Sequence, residues 1–313
     1  MRVCTFYETR LGRNDGPPLY WTNAMKNLGW EVTHLSSEAE PKNKDFDLYL
    51  WVDWGEDGLT GCMPYTPISM KNLHPSVYIT SDTHLGFDYR LNKAKEFDYV
   101  FCNQERAVEE FNNKGVKSEW LPHAVEPQAY PNSPACFKKY DIGFVGFVTF
   151  LKRAKALDKM LKEFPNFFYG QRLFEECAEI YRQSRIVFNT AADDDINMRM
   201  FEATATGSFL LCEDVPTLSK IFKTGEHIIT YFDISDAIDK AKYYLEHEKE
   251  REIIAKQGME YVLAHHTYSD RIMKIYDVIF GENGPWQKQP QQEPKQLSEL
   301  TRHLQLPLVH LSQ

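Results

Sequence analysis

The sequence predicts an α/β protein in which two Rossmann-like domains follow one another along the chain. Short apolar runs bounded by polar residues alternate with segments of helical periodicity in both halves. Such alternation indicates βαβ units on a parallel sheet, with ligands at the carboxyl ends of the strands. A chain of 313 residues is long enough for two domains of ordinary size. The irregular, Pro-rich stretch 127–134 predicts a boundary there or slightly after it, giving domains at 1–135 and 136–283.

The first half contains five apolar runs that are typical of buried strands. They predict strands at residues 1–6, 31–35, 47–52, 77–80 and 99–102. Helical spacing of apolar residues predicts one helix over 18–28, which Gly29 would end, and a second over 104–114.

The second half repeats this pattern. Apolar runs predict strands at residues 141–147, 166–170, 185–189 and 208–212. Helices are predicted over 151–163 and 173–183, and a further helical stretch opens at Pro216. The tail 284–313 is rich in Pro and Gln, which predicts loose order with at most one short amphipathic helix at 297–306. We expect this tail to lie outside the functional site.

Composition and charge exclude several classes of function. A net charge of −9 argues against a general polyanion binder, because counterion-driven affinity for nucleic acid needs a basic surface. The six cysteines are scattered singly, which suggests neither a zinc site nor a disulfide framework and predicts reduced core residues. No apolar run approaches bilayer length, so we expect a soluble, cytoplasmic protein without stable membrane insertion.

The stretch 194–207 is the most informative about chemistry. Asp194, Asp195 and Asn197 are favourable N-cap residues, and apolar residues recur at helical spacing after them, so a helix is predicted to start near Ile196. Its first backbone N–H groups have no partner within the helix and carry the positive end of the dipole. The turn is therefore a candidate site for a phosphate oxygen.

Charged side chains in the same stretch support a ligand site. Arg199 lies beside Met198 in the first turn, where a cation is unfavourable for the helix dipole unless it faces an anionic ligand. Glu202 lies two turns from Asp194, so both carboxylates could line one pocket and accept hydrogen bonds from hydroxyl groups. The alternative is an ordinary helix with a polar cap and a solvated Glu.

A family resemblance adds to this interpretation. The second half resembles the C-terminal domain of CgeB-like glycosyltransferases, within the GT-B "group 1" class, over residues 141–280, whereas residues 1–140 are similar in layout only. The matching segments are Asn197–Gly207, Phe209–Cys212, Val215–Leu218, Tyr243–Arg251, Ile253–Gly258 and His265–Tyr268.

The resemblance implies a GT-B fold, in which two Rossmann-like domains face each other across a cleft. It also implies transfer of a sugar, UDP-linked in the commonest case, from a donor held mainly by the C-terminal domain, in a retaining reaction without metal or other cofactor. In that class two Glu residues separated by seven positions contact the donor. The matching pair here is Asp194 and Glu202, so the first position departs from the commoner Glu.

The resemblance also assigns residues to the donor diphosphate. The strand that ends at Gly146 is followed by Lys152 and Arg153, which match the region where the family presents basic residues. The family's Arg after the glycine is replaced by Phe147, so we expect Lys152, Arg153 and Arg199 to share the stabilisation of the leaving group. A solvated Lys-Arg pair is the alternative for the first two.

Gly170 and Gln171 resemble the loop that passes over the nucleobase, where the backbone would contact the base edge. A glycine there would permit close approach of the ligand. A simple turn between a strand and a helix is the alternative.

Residues for the acceptor side come from the first half. Asp82 and His84 follow a predicted buried strand, and either is a candidate general base or a partner for the transferred sugar. Asp53 and Trp54 combine a carboxylate with an aromatic face at a strand end, which suits carbohydrate. His123 lies in a segment that resembles the family's interdomain connection and would face the cleft. Structural roles remain the alternative for all of them.

Three classes of function follow. The first is a metal-independent glycosyltransferase, of hexosyltransferase type, acting on an unknown acceptor such as a glycan, protein, lipid or, with less support, modified DNA. The second is a nucleotide-sugar hydrolase or epimerase on the same scaffold, because fold does not determine function. The third is a non-catalytic module that binds sugar nucleotides or glycans.

Overall fold

The structure is a computed structural model that describes residues 1–7, 16–53, 67–132, 137–148, 150–191 and 195–281. Its described part contains two parallel sheets. The first comprises β1 (Arg2–Phe6), β2 (Glu31–Leu35), β3 (Leu48–Asp53), β4 (Ser76–Thr80), β5 (Tyr99–Cys102) and β6 (Glu119–Trp120). The strand order is β2-β1-β3-β4-β5-β6, and every neighbouring pair is parallel.

The second sheet comprises β7 (Tyr140–Val145), β8 (Phe167–Gly170), β9 (Ser184–Asn189), β10 (Leu210–Glu213) and β11 (Ile229–Tyr231). Its order is β11-β10-β9-β7-β8, again with parallel neighbours. The predicted boundary at 127–134 lies between the last strand of the first sheet and the first strand of the second. Two sheets with helices confirm the predicted α/β class with two Rossmann-like units.

The helices lie between and after these strands. They are α1 (Pro17–Asn27), α2 (Phe87–Ala94), α3 (Glu105–Asn113), α4 (Leu151–Glu163), α5 (Phe174–Gln183), α6 (Met198–Ala205), α7 (Ile234–Glu246), α8 (Glu248–His265) and α9 (Tyr268–Phe280). The helix predicted near Ile196 begins two residues later, with Asn197 as its N-cap. The helical stretch predicted at Pro216 is only a short 3-10 turn, Leu218–Lys220.

The strands at the centre of the first sheet are buried on both faces. Every residue of β3 and β4 is buried, and helices cover both sides of a parallel sheet, so their sequences are continuous apolar runs. Cys4, Cys102, Cys177 and Cys212 are buried free thiols, as predicted for core cysteines. Cys62, Cys136 and the tail 284–313 lie outside the described residues. None of the helices in the described ranges has the length and apolar character that crossing a bilayer requires.

The last helix packs back onto the first half of the chain. The ring of Tyr268 in α9 meets Trp21 of α1 edge-on at 5.0 Å between centroids, and Tyr276 lies 6.1 Å from Trp30. Arg271 of α9 donates hydrogen bonds to the carbonyl oxygens of Pro122 and His123, at 2.8 and 2.9 Å. The two halves are therefore joined both by the chain after β6 and by the packing of α9.

Candidate functional site

Arg199 lies at the carboxyl ends of β7 and β9. Its Nε donates to the carbonyl oxygen of Val145 at 2.8 Å, and its Nη1 donates to Oδ1 of Asn189 at 2.5 Å. The guanidinium carbon is 4.3 Å from the centroid of the Phe144 ring, within cation–π range. The backbone, an amide and an aromatic face thus fix this cation at the ligand-binding edge of the sheet.

Gly146 provides the space that this arrangement needs. Its φ is +149°, a conformation that side chains rarely adopt, and a Cβ at this position would lie 2.2 Å from Nη2 of Arg199. The backbone N–H of Gly146 donates to the carbonyl oxygen of Gly170 at 3.0 Å, which ties together the ends of β7 and β8. Gly146 and Gly170 are therefore adjacent, at the ends of two neighbouring strands.

The first turn of α6 offers backbone donors beside Arg199. Asn197 occupies the N-cap position, and its side chain makes no capping hydrogen bond to this helix. Nδ2 of Asn197 donates to Oδ1 of Asn189 at 3.2 Å, while its Oδ1 is buried without a hydrogen-bond partner in the described part of the chain. Uncapped N–H groups at the positive end of the dipole, next to a guanidinium, can bind an anion.

Arg153 and Lys152 lie on α4, across the strand ends from Arg199. Arg153 is buried and donates to the carbonyl oxygens of Phe147 and Thr190, at 3.0 and 3.2 Å. Burial, and then the charge of Arg199, lower the pKa of Arg153 to about 10. Nζ of Lys152 lies 2.7 Å from Oε1 of Glu213 and its side chain is 48% exposed. The predicted basic residues therefore lie together at the carboxyl ends of the strands. Arg153 holds the backbone where the chain leaves β7 and β9.

A cavity of about 560 Å³ opens beside this cationic edge, between the ends of β7 and β8 and the start of α5. Phe147 borders it with a ring that is 54% exposed, and the predicted base-contacting residue Gln171 is exposed there. The lining residues are Gly146, Phe147, Gln171, Arg172, Leu173, Phe174, Glu175 and Glu176. The volume and the mixture of apolar and polar groups suit a small organic ligand.

Glu202 has a different environment from the other predicted donor residues. Glu202 is only 7% exposed, and its carboxyl group lies among tyrosine side chains from distant parts of the chain, Tyr20, Tyr130 and Tyr268. Burial raises the pKa of Glu202 to about 7, against the opposing effects of the Tyr130 hydroxyl and the Arg199 charge. Glu202 does not line the cavity. It lies one turn deeper in α6 than Arg199, in the contact between the two halves.

Asp194, the predicted partner of Glu202, lies outside the described residues, as does Trp54. Thr190 and Ala191 directly follow β9, and Asn197 is the N-cap of α6. Within the described ranges no group of three or more His, Cys, Asp or Glu side chains is arranged to hold a metal ion.

Asp53 is held in a buried ion pair. Its Oδ2 accepts a hydrogen bond from the Tyr78 hydroxyl at 2.5 Å and lies 3.2 Å from Nε of Arg90, which is fully buried. Arg90 also donates to the carbonyl oxygen of Leu85 at 3.1 Å. The carboxylate expected to contact the acceptor is therefore occupied by Tyr78 and Arg90, which anchor the loop after β4.

That loop carries Asp82 and His84. Asp82 is exposed and has a φ of +47°, which is uncommon for a residue other than glycine and is concentrated at functional sites. Oε1 of Gln104 accepts hydrogen bonds from the backbone N–H and the hydroxyl of Thr83, at 2.7 and 2.6 Å. The His84 ring lies 6.2 Å from that of Phe150, the residue before α4. His84 therefore faces the second half of the chain, close to the start of the helix with Lys152 and Arg153.

His123 belongs to the connection between the halves. Its carbonyl oxygen accepts a hydrogen bond from Arg271, and its imidazole is partly buried. Burial, followed by the charge of Arg271, lowers the pKa of His123 to about 4, so the ring is neutral at pH 7. Its observed contacts are those of a residue that fixes the connection.

Sequence reasoning missed three residues of the site. Asn189 and Glu213 are the last residues of β9 and β10, and Phe144 lies beneath Arg199. A signal was available for the first two, because each is the polar residue that ends an apolar strand at the edge where ligands bind.

The chain is similar to known proteins in part of its sequence and in its fold. A family model described as "Glycosyl transferase-like" matches residues 151–277. No curated protein matches the chain in sequence. Among solved structures, HepE from Anabaena, in complex with UDP and glucose, has a TM-score of 0.63 at 9% identity, covering 89% of this chain and 99% of its own.

Two further solved structures share the fold. The T4 phage protein BGT, in complex with its UDP-glucose substrate, has a TM-score of 0.60 at 12% identity and covers 91% of this chain and 100% of its own. Sucrose-phosphate synthase from Thermosynechococcus elongatus has a TM-score of 0.55 at 12% identity, covering 88% and 98%. The fold is GT-B, and together with the family match it supports the GT-B glycosyltransferase class for this chain.

Proposed function

We propose that this protein transfers a hexosyl group from a nucleotide-diphosphate sugar, a UDP-sugar in the first instance, to an acceptor. The family match over α4 to α9 supports the reaction class, and similar structures that hold UDP or UDP-glucose support the donor class. The acceptor is a glycan, a protein or a lipid, with modified DNA less favoured because the chain carries a net charge of −9. CgeB-like specificity is part of this proposal.

The observation that carries the proposal is the position of Arg199. It lies in the first turn of α6, whose N-cap side chain makes no capping hydrogen bond, at the carboxyl ends of parallel strands, with Gly146 leaving room beside it. Transfer of the sugar leaves negative charge on the departing nucleoside diphosphate. Fixed N–H donors and cations aimed at that charge lower the barrier to transfer. We assign this role to Arg199, to Lys152 and to the backbone of Asn197 and Met198, without a metal ion.

The cavity beside Gly146 is our candidate for the nucleobase. The backbone at Gly170 and Gln171 borders it, and the exposed ring of Phe147 offers an aromatic face for stacking. Phe147 stands where the related enzymes carry an arginine, so the cation nearest to the diphosphate comes from α6 instead. Arg153 supports this arrangement by holding the backbone at Phe147 and Thr190.

The acceptor side is assigned to the loop after β4. His84 faces Phe150 and is held beside Gln104, whose Nε2 lies 3.5 Å from its Nδ1. An imidazole there can accept a proton from the acceptor hydroxyl or hydrogen bond to the transferred sugar. Asp82, in its left-handed conformation, is the second candidate. We expect retention of configuration at the sugar, as in the group 1 enzymes that the chain resembles.

The decisive experiment measures release of nucleoside diphosphate from a panel of UDP-, GDP- and ADP-sugars, with and without candidate acceptors. We expect one donor to be used, and Arg199→Ala to lose most of the activity. Arg185→Ala is the matched control, because Arg185 is a half-exposed arginine at the start of β9, paired loosely with Asp141. It lies at the opposite edge of the same sheet.

The outcomes separate the three functional classes. Diphosphate release that does not depend on any acceptor would indicate a hydrolase. Binding of UDP in a thermal-shift measurement, without turnover of any donor, would indicate a binding module. Neither binding nor turnover of any nucleotide sugar by the folded protein would contradict the proposal.

A further inference from the structure

Glu213, the last residue of β10, holds three groups at the carboxyl edge of the second sheet. Its Oε1 lies 2.7 Å from Nζ of Lys152. Its Oε2 accepts hydrogen bonds from the hydroxyl of Thr190 and from the backbone N–H of Ala191, both at 3.1 Å. The Glu213 side chain is only 13% exposed, so these contacts are shielded from solvent.

These contacts connect two parts of the site that are distant in sequence. Thr190 and Ala191 form the exit of β9 and lead towards Asn197 and α6. Arg153 holds the same exit from the other side, through the carbonyl oxygen of Thr190. The backbone between β9 and α6 is therefore held at its start by a carboxylate and a guanidinium, and Lys152 is joined to the same carboxylate.

Lys152 needs such a partner if it is to act at a defined point. A lysine side chain is a flexible chain of four carbons, and ordering it costs about 2 kcal/mol in lost conformational entropy. Lys152 is half-exposed and lies in the first turn of α4, so its ammonium group has wide access to solvent. A charge-assisted contact with a nearly buried carboxylate restricts it to the edge of the sheet.

We propose that Glu213 is a positioning residue for the donor diphosphate, which holds Lys152 and the exit of β9 in the arrangement that receives the donor. The inference rests on the proposed function, since it assigns the ammonium group of Lys152 to that diphosphate. Glu213 acts through Lys152 and the backbone, not by touching the donor.

The test is a double-mutant cycle with Glu213→Gln and Lys152→Met. Glutamine retains an oxygen that can accept from Ala191 and Thr190, but it removes the charge that holds Lys152. We expect Glu213→Gln to raise the donor KM about tenfold, the effect of losing one charge-assisted contact, with a smaller change in kcat. In the Lys152→Met background the same substitution is expected to change KM less than twofold, because coupled residues are not additive.

Asp158→Asn is the matched control. Asp158 lies on the same helix α4 and pairs with Lys162 at the same 2.7 Å distance, but both side chains are well exposed and remote from the strand ends. We expect it to leave KM unchanged. Thermal unfolding of each variant separates a loss of folding from a loss of positioning.

Two results would overturn the inference. One is an unchanged donor KM in folded Glu213→Gln, and the other is an equal increase in KM with and without Lys152, which would show that Glu213 does not act through Lys152. An unmodified protein that turns over no nucleotide sugar would instead contradict the proposed function, so the two failures are distinguishable.

Discussion

A methyl group added to Gly146 would lie 2.2 Å from Nη2 of Arg199, so the glycine and the arginine are sterically matched. Arg199 extends over the end of β7 and donates a hydrogen bond to the carbonyl oxygen of Val145. This steric match therefore lies within the candidate site. A glycine at the end of a strand is usually explained by the turn that follows. Here the approach of a side chain requires it as well.

Gly146→Ala should therefore displace Arg199 and lower activity. The clash moves the guanidinium from its place, and the φ of +149° adds strain of about 1–3 kcal/mol. We expect the rate of nucleoside diphosphate release to fall at least as far as in Arg199→Ala. Steady-state kinetics and urea unfolding of the same samples check the two effects.

Gly115→Ala is the control for strain alone. Gly115 has a φ of +81°, but a Cβ there would meet no atom within 4 Å. Its substitution should reduce stability without reducing activity. If Gly146→Ala kept full activity, Arg199 would not need its observed position.

The raised pKa of Glu202 predicts that the stability of the protein depends on pH. Burial raises the pKa of Glu202 from 4.5 to about 7, so the folded state holds the proton more tightly than the unfolded state. The stability that the neutral carboxyl contributes is fully present below pH 4.5, and it is lost as the pH rises through 7. The difference between the two pKa values corresponds to about 3 kcal/mol.

Glu202→Gln removes this titration. We expect the substitution to change the free energy of unfolding more favourably at pH 8 than at pH 4.5, and the two changes to differ by about 3 kcal/mol. Urea unfolding of the variant and of the unmodified protein at both pH values measures this difference. Glu260→Gln, an exposed carboxyl on α8, controls for the substitution itself. An equal effect of Glu202→Gln at both pH values would show that the carboxyl is not desolvated.

The same variant tests the predicted donor role of Glu202. A carboxylate that accepts hydrogen bonds from the donor would make Glu202→Gln lower turnover far more than it lowers stability. An unchanged rate would remove Glu202 from the site and leave it as part of the contact among Tyr20, Tyr130 and Tyr268.

Most strands were predictable because a sheet covered on both faces produces continuous apolar runs, as in β3 and β4. The first turn of α6 was also predictable, since its N-cap residues and Arg199 are neighbours in sequence. The environment of the Glu202 side chain was not predictable from the sequence. The surroundings of its carboxyl depend on Tyr20 and Tyr268, which lie 182 and 66 positions away and meet only when α9 packs on α1.

The partners of Asp53, at the end of a strand, were likewise not predictable from the sequence. Its position at the carboxyl edge of the first sheet was predictable, but its partner Arg90 lies on α2, a helix whose sequence, Phe87–Ala94, gave no clear start signal. The N-cap residue of that helix is Gly86, which has no side chain that could cap it. A carboxylate at a strand end can face a ligand or a buried arginine, and only the packing of α2 decides between them.

Asp53→Asn should therefore destabilise the protein. Loss of the charge leaves the fully buried guanidinium of Arg90 without its ion pair, which typically costs about 3–5 kcal/mol. Urea unfolding measures this cost. Asp45→Asn is the control, because Asp45 pairs with Arg2 at 2.6 Å where both side chains are exposed. A small effect on stability with a large effect on acceptor KM would instead support the predicted acceptor role of Asp53.

His84 provides the prediction for the acceptor side. Its ring faces Phe150 from the loop after β4, while Gln104 and Thr83 fix the backbone on which it stands. A group that accepts a proton or hydrogen bonds to the sugar during transfer contributes to kcat more than to donor binding. We expect His84→Gln to lower kcat by about 100-fold, the lower end of the range for general acid–base groups, with little change in affinity for UDP.

Steady-state transfer and isothermal titration with UDP separate these two quantities for His84→Gln. His247→Gln is a suitable control, because His247 is an exposed histidine at the junction of α7 and α8 whose Nδ1 contacts only a carbonyl oxygen, that of Tyr243, among its described hydrogen bonds. Equal losses of kcat and UDP affinity in His84→Gln would place His84 on the donor side of the cleft. Full activity would leave Asp82, two residues after β4 ends at Thr80, as the remaining candidate.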